Sequence, residues 1–127
     1  MLSGSVKSFG EIAIIKLRGY VDQCTATELE KIVDDLIAKA SFQIIADLRC
    51  VDYMSSAGWG IFLAGIKVIR ENEGDLKLVG LQPNVREVFE LLEFNHILRE
   101  FCDVKDALQD FSSKIMNRAK PTRSVQY

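Results

Sequence analysis

The sequence is poor in the side chains that most catalytic and metal chemistry requires. Its 127 residues include a single histidine, His96, two prolines and three cysteines, Cys24, Cys50 and Cys102, which stand far apart. A structural zinc site needs about four clustered Cys or His ligands, and this set does not supply them. With no C-x-x-C pair and an odd count, the cysteines read as free thiols in a reducing cytosol. Positive charge is not in excess: 16 Lys and Arg face 18 Asp and Glu, a net charge of −2. Nucleic acid is therefore not the expected partner, because no basic surplus exists to displace its counterions. No apolar run approaches the ~20 residues of a membrane span, and Met1-Leu2-Ser3-Gly4-Ser5 lacks the basic and apolar regions of a signal peptide. Gly58 and Gly60 look like a fragment of a phosphate loop, but no G-x-G-x-x-G is completed, no G-K-[ST] follows, and G-x-S-x-G is absent. These gaps point away from an enzyme, a cofactor or a metal, and toward a binding module in the cytoplasm.

What the chain has is enough apolar residue for one core. It is 48% hydrophobic and 27% charged, ordinary for a globular domain, and its length suits one domain. Val6–Phe9 reads as a short edge strand turning at Gly10. Glu11–Leu17, apolar and β-branched, reads as a buried strand that Gly19 ends. From Thr25 the period changes: Leu29, Ile32, Val33, Leu36 and Ile37 recur at helical spacing, and Thr25 with Glu28 fits a capping box. Phe42–Leu48 is again strand-like. Beyond Ser55-Ser56-Ala57-Gly58 an apolar helix carries Phe62, Leu63, Ile66 and Ile69 on one face and ends near Gly74, a C-terminal cap candidate. Leu76–Gly80 is a short strand. Pro83 opens a helix whose inner face holds Val85, Val88, Phe89 and Leu92. Ile97–Phe101 is a last strand, and Asp103 caps a final helix with Val104, Leu108, Phe111 and Ile115. The alternation predicts an α/β layer fold, a mixed, mostly parallel sheet of four to five strands with about four helices. The domain is expected over 1–117, with 118–127 as a flexible tail.

In an open parallel sheet, sites form in the loops after strand C-termini. Two loops stand out, one holding Asp22 and the other running from Tyr53 to Gly60. The second sets small residues at the start of an apolar helix, whose free first-turn N–H groups carry the positive end of the helix dipole. Either Ser55 or Ser56 suits an N-cap, a role worth roughly 1 kcal/mol that needs no function. A capping serine on an exposed loop is also a reachable hydroxyl. Asp22 and Asp47 read either as a carboxylate pair at the sheet edge or as solvated turn residues. Trp59, the one tryptophan, suits either the core or a binding anchor.

Five stretches, taken in order, resemble the STAS domain family and within it the bacterial anti-sigma-factor antagonists. The likeness covers about residues 5 to 113. Gly19-Tyr-Val-Asp22 is similar to a G-x-[LIV]-D turn after the second strand, and Asp47-Leu48 to the D-L closing the third. Val51-Asp-Tyr-Met54 followed by Ser-Ser-Ala-Gly58 resembles a hydrophobic stretch and then [DS]-S-[SA]-G. Val79-Gly-Leu-Gln-Pro83 and Asp103-Val-Lys-Asp-Ala-Leu108 resemble the later turn and final helix. The resemblance implies a partner-switching cycle. An unphosphorylated antagonist binds an anti-sigma factor that is also a serine kinase of GHKL type and so frees the sigma factor. The kinase phosphorylates the motif serine, here Ser56, and a PP2C-type phosphatase restores it. The same resemblance implies partner contacts at Asp22, Ser55, Ser56, Ala57, Gly58 and Trp59. Ser55 stands where the family often has Asp, and Trp59 where it usually has Leu. Other STAS assemblies remain open at this point: a stressosome-like scaffold, a lipid-transport component or a transporter's regulatory module.

Overall fold

A computed structural model describes residues 2–119, with side chains as far as Ser113. The elements run β1 (Leu2–Phe9), β2 (Ile12–Val21), α1 (Ala26–Ala38), β3 (Gln43–Met54), α2 (Ser56–Glu71), β4 (Asp75–Val79), α3 (Pro83–Leu91), a 3-10 turn (Phe94–His96), β5 (Arg99–Phe101) and α4 (Val104–Ala119). Element order and fold class are as the sequence predicts. Five strands form one sheet in the order β1-β2-β3-β4-β5, with β1 antiparallel to β2 and the other pairs parallel. Helix α4 continues to Ala119, past the expected start of a tail at 118. The remainder of that expected tail, residues 120–127, lies outside the described residues.

Chain order explains the layering. Parallel crossovers are right-handed, and here each moves one strand further in the same direction. The crossover helices α1, α2 and α3 therefore land on the same face of the sheet. Their buried residues Leu29, Val33, Phe62, Ile66, Val85 and Phe89 join Ala13, Ile15, Leu17, Ile44, Ala46 and Leu48 in the main core. On the opposite face lies α4, whose Ala107 and Phe111 pack on Ile12, Ile45 and Val79 in a second, smaller core.

Several local expectations need correction. Strand β1 begins at Leu2, four residues before Val6. Gly19 does not end β2. The strand runs on to Val21, and Gly19, at φ 112, sits at a shift in its register with β3, where Asp52 of β3 is the extra residue. Asp47-Leu48 does not close β3, which continues to Met54. The capping box at Thr25 does not form, since Thr25 makes no side-chain cap bond to its helix. Asp22 closes the turn before the helix instead, its Oδ1 accepting from the backbone N–H of Cys24 at 2.8 Å and of Thr25 at 2.9 Å. At the end of α2 the left-handed position belongs to Glu73, at φ 62, and the N–H of Gly74 bonds to the carbonyl of Ile69 at 2.9 Å. Gly74 is needed for another reason: a Cβ there would overlap the carbonyl of Phe42. Leu92 is 52% exposed, outside the inner face of α3.

Candidate functional site

The loops that follow β2 and β3 meet at one end of the sheet. Val21 is paired with Met54 in register, and the N–H of Ser55 donates to the carbonyl of Val21 at 2.8 Å. That bond joins the two loops, so Asp22 and Ser56 each stand one residue beyond the junction. Asp22 is held in its turn by Thr25 and Cys24. The backbone N–H of Thr25 is the chief influence that keeps its carboxyl below the usual aspartate range, so Asp22 is an anion at neutral pH.

The two serines divide the roles that the sequence leaves open. Ser55 is the N-cap of α2: its backbone is extended, its hydroxyl oxygen accepts from the N–H of Gly58 at 3.3 Å, and it is half-buried. A serine caps about as well as an aspartate, so the departure from Asp at this place leaves the helix start intact. Ser56 is the first residue of α2 and is exposed. Its side chain is therefore presented to solvent at the helix start. Gly58 sets the height of that platform. A Cβ on Gly58 would lie 2.8 Å from Cγ1 of Val21 and closer still to Sδ of Met54, so only glycine lets the first turn of α2 rest on the ends of β2 and β3.

Asp47 does not join Asp22. It lies within β3 on the face toward α4, 3% exposed, and so is neither a partner to Asp22 nor a solvated turn residue. Burial pushes its carboxyl up, but the Arg49 guanidinium outweighs burial and holds it below the usual range. Arg49 Nε and Nη2 donate to it at 2.9 and 2.8 Å. His96 is 69% exposed beside Glu93.

A family model for the STAS domain matches residues 5–109. The chain belongs to the STAS domain family. Sequence relatives named as anti-sigma factor antagonists include BtrV and an anti-sigma-B factor antagonist of Staphylococcus aureus. BtrV of Bordetella bronchiseptica, so named, is 38% identical over 78 residues, covering 61% of this chain and 67% of BtrV. An anti-sigma factor antagonist from Mycobacterium paratuberculosis superposes with a TM-score of 0.80 at 21% identity, covering 87% of this chain and 93% of that one. The Bacillus cell fate determinant SpoIIAA in its phosphorylated form superposes with a TM-score of 0.69 at 18% identity, covering 86% and 99%. The two structures establish likeness of fold.

Within this STAS domain, Trp59 is not available as a surface anchor. It is 1% exposed and packs among Phe62, Phe89 and Phe94, with ring centroids 5.4 Å from each of the last two. The motif runs into the helix, and position 59 falls on the buried side of the first turn. Gly58 is buried as well. The exposed aromatics at this end are Tyr20, at 43%, and Tyr53, at 51%, which stand opposite one another across β2 and β3. Sequence reasoning missed both. The signal was present in Tyr20-Val21 and Tyr53-Met54, where an aromatic precedes the last inward residue of each strand, but it required knowing that both strands extend that far.

Proposed function

We propose that this STAS domain antagonises an anti-sigma factor and that phosphorylation of Ser56 switches its binding. The observation that carries the reading is the exposed Ser56 side chain at the first turn of α2, in a chain with sequence relatives named as anti-sigma factor antagonists. The likeness in fold to a protein known in a phosphorylated form adds support. The partner implied is an anti-sigma factor that is also a GHKL-type serine kinase, with a PP2C-type phosphatase resetting the cycle in the cytoplasm. The domain acts by binding, not by catalysis.

Physical chemistry supplies the switch. A phosphate on Ser56 adds about −1.5 to −2 charges. At a helix N-terminus such a charge is tolerated or favoured by roughly 0.3–2 kcal/mol, so the domain stays folded. The same charge stands near ionised Asp22 and the Tyr20–Tyr53 pair, on the surface that would meet the partner. Repulsion and desolvation then oppose docking. Ser55, half-buried with its oxygen engaged as a cap, is the poorer acceptor.

Incubation with ATP and the cognate GHKL-type kinase, read by mass spectrometry, is expected to place one phosphate on Ser56 and none on Ser56→Ala. Ser56→Asp should keep the circular dichroism of the wild type and lose kinase binding. Phosphate uptake by Ser56→Ala, or a folded Ser56→Asp that binds undiminished, would overturn the assignment.

A further inference from the structure

The sheet face that carries α4 is only partly covered. Helix α4 packs over β3, β4 and β5, and nothing among the described residues lies over β1 and the upper half of β2. Side chains alternate between faces along a strand. On β2 the helix-layer side is Ala13, Ile15 and Leu17, all buried, while Lys16 and Arg18 point the other way and are exposed. Across the hairpin, Ser3 stands opposite Arg18, Ser5 opposite Lys16 and Lys7 opposite Ile14. The serines are too short to shield the two long cations, of which Lys16 faces Asp47 across β2 and β3. A groove runs between this hairpin and α4, lined by Ser5, Lys7, Ile14, Lys16, Arg49 and Val104, with Asp47 at its floor.

The charge in this groove is one-sided. Lys7, Lys16, Arg18 and Arg49 gather on one surface of a chain whose net charge is −2. The facing carboxylates are Asp47, which Arg49 engages at 2.8 Å, and Asp103 at the start of α4, near enough to act on Arg49. Lys7, Lys16 and Arg18 form no ion pair among the described residues. The β1–β2 pair is antiparallel, and antiparallel pairs commonly leave one face to water. Here the uncovered part is cationic with a strip of aliphatic side chain, Ile14 and Val104, along it.

We propose that the open groove between β1–β2 and α4 is a second interaction surface, which takes an extended acidic segment of a partner protein. The spacing suits such a segment. Lys16 and Arg18 are two residues apart on one strand, so their stems rise about 6.6–6.8 Å apart, the spacing of carboxylates at alternate positions of an extended chain. Duplex DNA fits less well, since tight phosphate tracking engages about 6–10 cations and this groove offers three, Lys7, Lys16 and Arg49, with Arg18 beside Lys16 on β2. The surface is separate from Ser56, and the proposal stands or falls independently of the phosphorylation switch.

The probe is a fluorescein-labelled octapeptide alternating Glu and Thr, with a Gln-for-Glu peptide as its neutral counterpart, read by fluorescence anisotropy against the full chain. Saturable binding of the acidic peptide, weakened by salt and absent for the neutral one, is expected. Lys7→Gln/Lys16→Gln/Arg18→Gln should weaken it by about tenfold, the combined effect of three exposed ion pairs. Lys31→Gln/Lys39→Gln/Lys67→Gln, an equal charge change at exposed positions on α1, at its C-cap and on α2, should change it by less than about twofold. Equal weakening by both variants would show non-specific attraction and overturn the proposal, as would no saturable binding. Tighter binding of duplex DNA or phosphatidylserine vesicles at the same three cations would overturn the assignment to an acidic protein. Phosphorylation of Ser56 is expected to leave the peptide affinity unchanged, and a phosphorylation-dependent loss would return this surface to the switch site.

Discussion

Lys77 lies on β4 beneath α4 with its side chain fully buried, its ammonium 3.2 Å from Asp75 and 2.6 Å from Asp110. Its Nζ also stands 4.4 Å from the ring centroid of Phe111. Each carboxylate has a second cation: Arg70 reaches Asp75 at 3.3 Å and Arg99 reaches Asp110 at 3.2 Å. The two ends of this chain of charges are thus unequal to its middle. Asp75→Asn/Asp110→Asn leaves a buried ammonium with no anion, a situation that costs about 3–5 kcal/mol. The carboxylates are 14% and 23% exposed, so some solvent can reach the site and the lower end, about 3 kcal/mol, applies. Lys77→Met removes the cation instead, keeps the volume of the stem beside Phe111, and leaves each carboxylate its arginine. Its expected cost is about 1 kcal/mol or less, because an apolar replacement of similar volume recovers the desolvation cost of the buried charge. Urea unfolding followed by the fluorescence of Trp59, the sole tryptophan and a buried one, separates the two variants at unchanged m-value. A double variant that loses under about 1 kcal/mol, or a Lys77→Met that loses more than the double variant, would refute this account of the second core.

Three other perturbations test other parts of the structure. The Asp47 carboxyl is depressed in the folded state, so its contribution is present above the ordinary aspartate value of about 3.9 and fades as pH falls through the lower folded value. The stability gap between wild type and Asp47→Asn should therefore stay constant from about pH 5 to 7 and narrow below about pH 4, read by fluorescence-monitored urea melts. Ala40 ends α1 at φ 57, a conformation that costs an L-residue roughly 1–2 kcal/mol. Ala40→Gly should gain about 0.5 kcal/mol after the added freedom of the unfolded chain is subtracted, and a lower urea midpoint would contradict the assigned conformation. Tyr20→Ala/Tyr53→Ala should leave the fold intact and weaken binding to the anti-sigma partner by about 2 kcal/mol, the loss expected of aromatic anchors. Calorimetric titration showing no loss would place the interface elsewhere.

The order of elements was legible because hydrophobic period changes cleanly along the chain, from β-branched runs such as Ile12–Leu17 to the spaced apolar positions of α1. Element ends were less legible, and the reason is chemical. Helices α1, α2 and α3 are each followed by a left-handed residue, Ala40, Glu73 and Glu93, and none of the three is the glycine by which such ends are recognised. Asp47 was misread because a carboxylate in a run of apolar residues suggests a turn. The guanidinium that makes its burial tolerable lies two positions further along, where the strand's period hides it. Trp59 was left open between core and anchor, and the tyrosines were passed over, for one shared reason. A helix beginning at Ser56 puts its fourth residue inward, while strands that run to Val21 and Met54 put the residues before them outward, and neither fact follows from composition.

The exposure of Ser56, the proposed switch residue, and the close approach at Gly58 are two aspects of one arrangement. Ser56 is exposed because α2 begins one residue earlier, at a Ser55 cap tied to Val21. It is positioned there because Gly58 lets the helix sit directly on Val21 and Met54. Gly58→Ala adds a single methyl where Met54 can swing aside only in part, at a cost of about 1–3 kcal/mol for overpacking. Val21, Met54 and Trp59 at this tip belong to the main core, so part of that cost falls on stability. The rest of the consequence falls on the site: the first turn must lift, and Ser56 moves with it while the sheet stays in place. A Gly58→Ala variant should therefore lose kinase binding and phosphate acceptance out of proportion to its loss of stability. Equal retention of binding and of Ser56 phosphorylation at full occupancy of the folded state would show that the docking surface tolerates a raised helix.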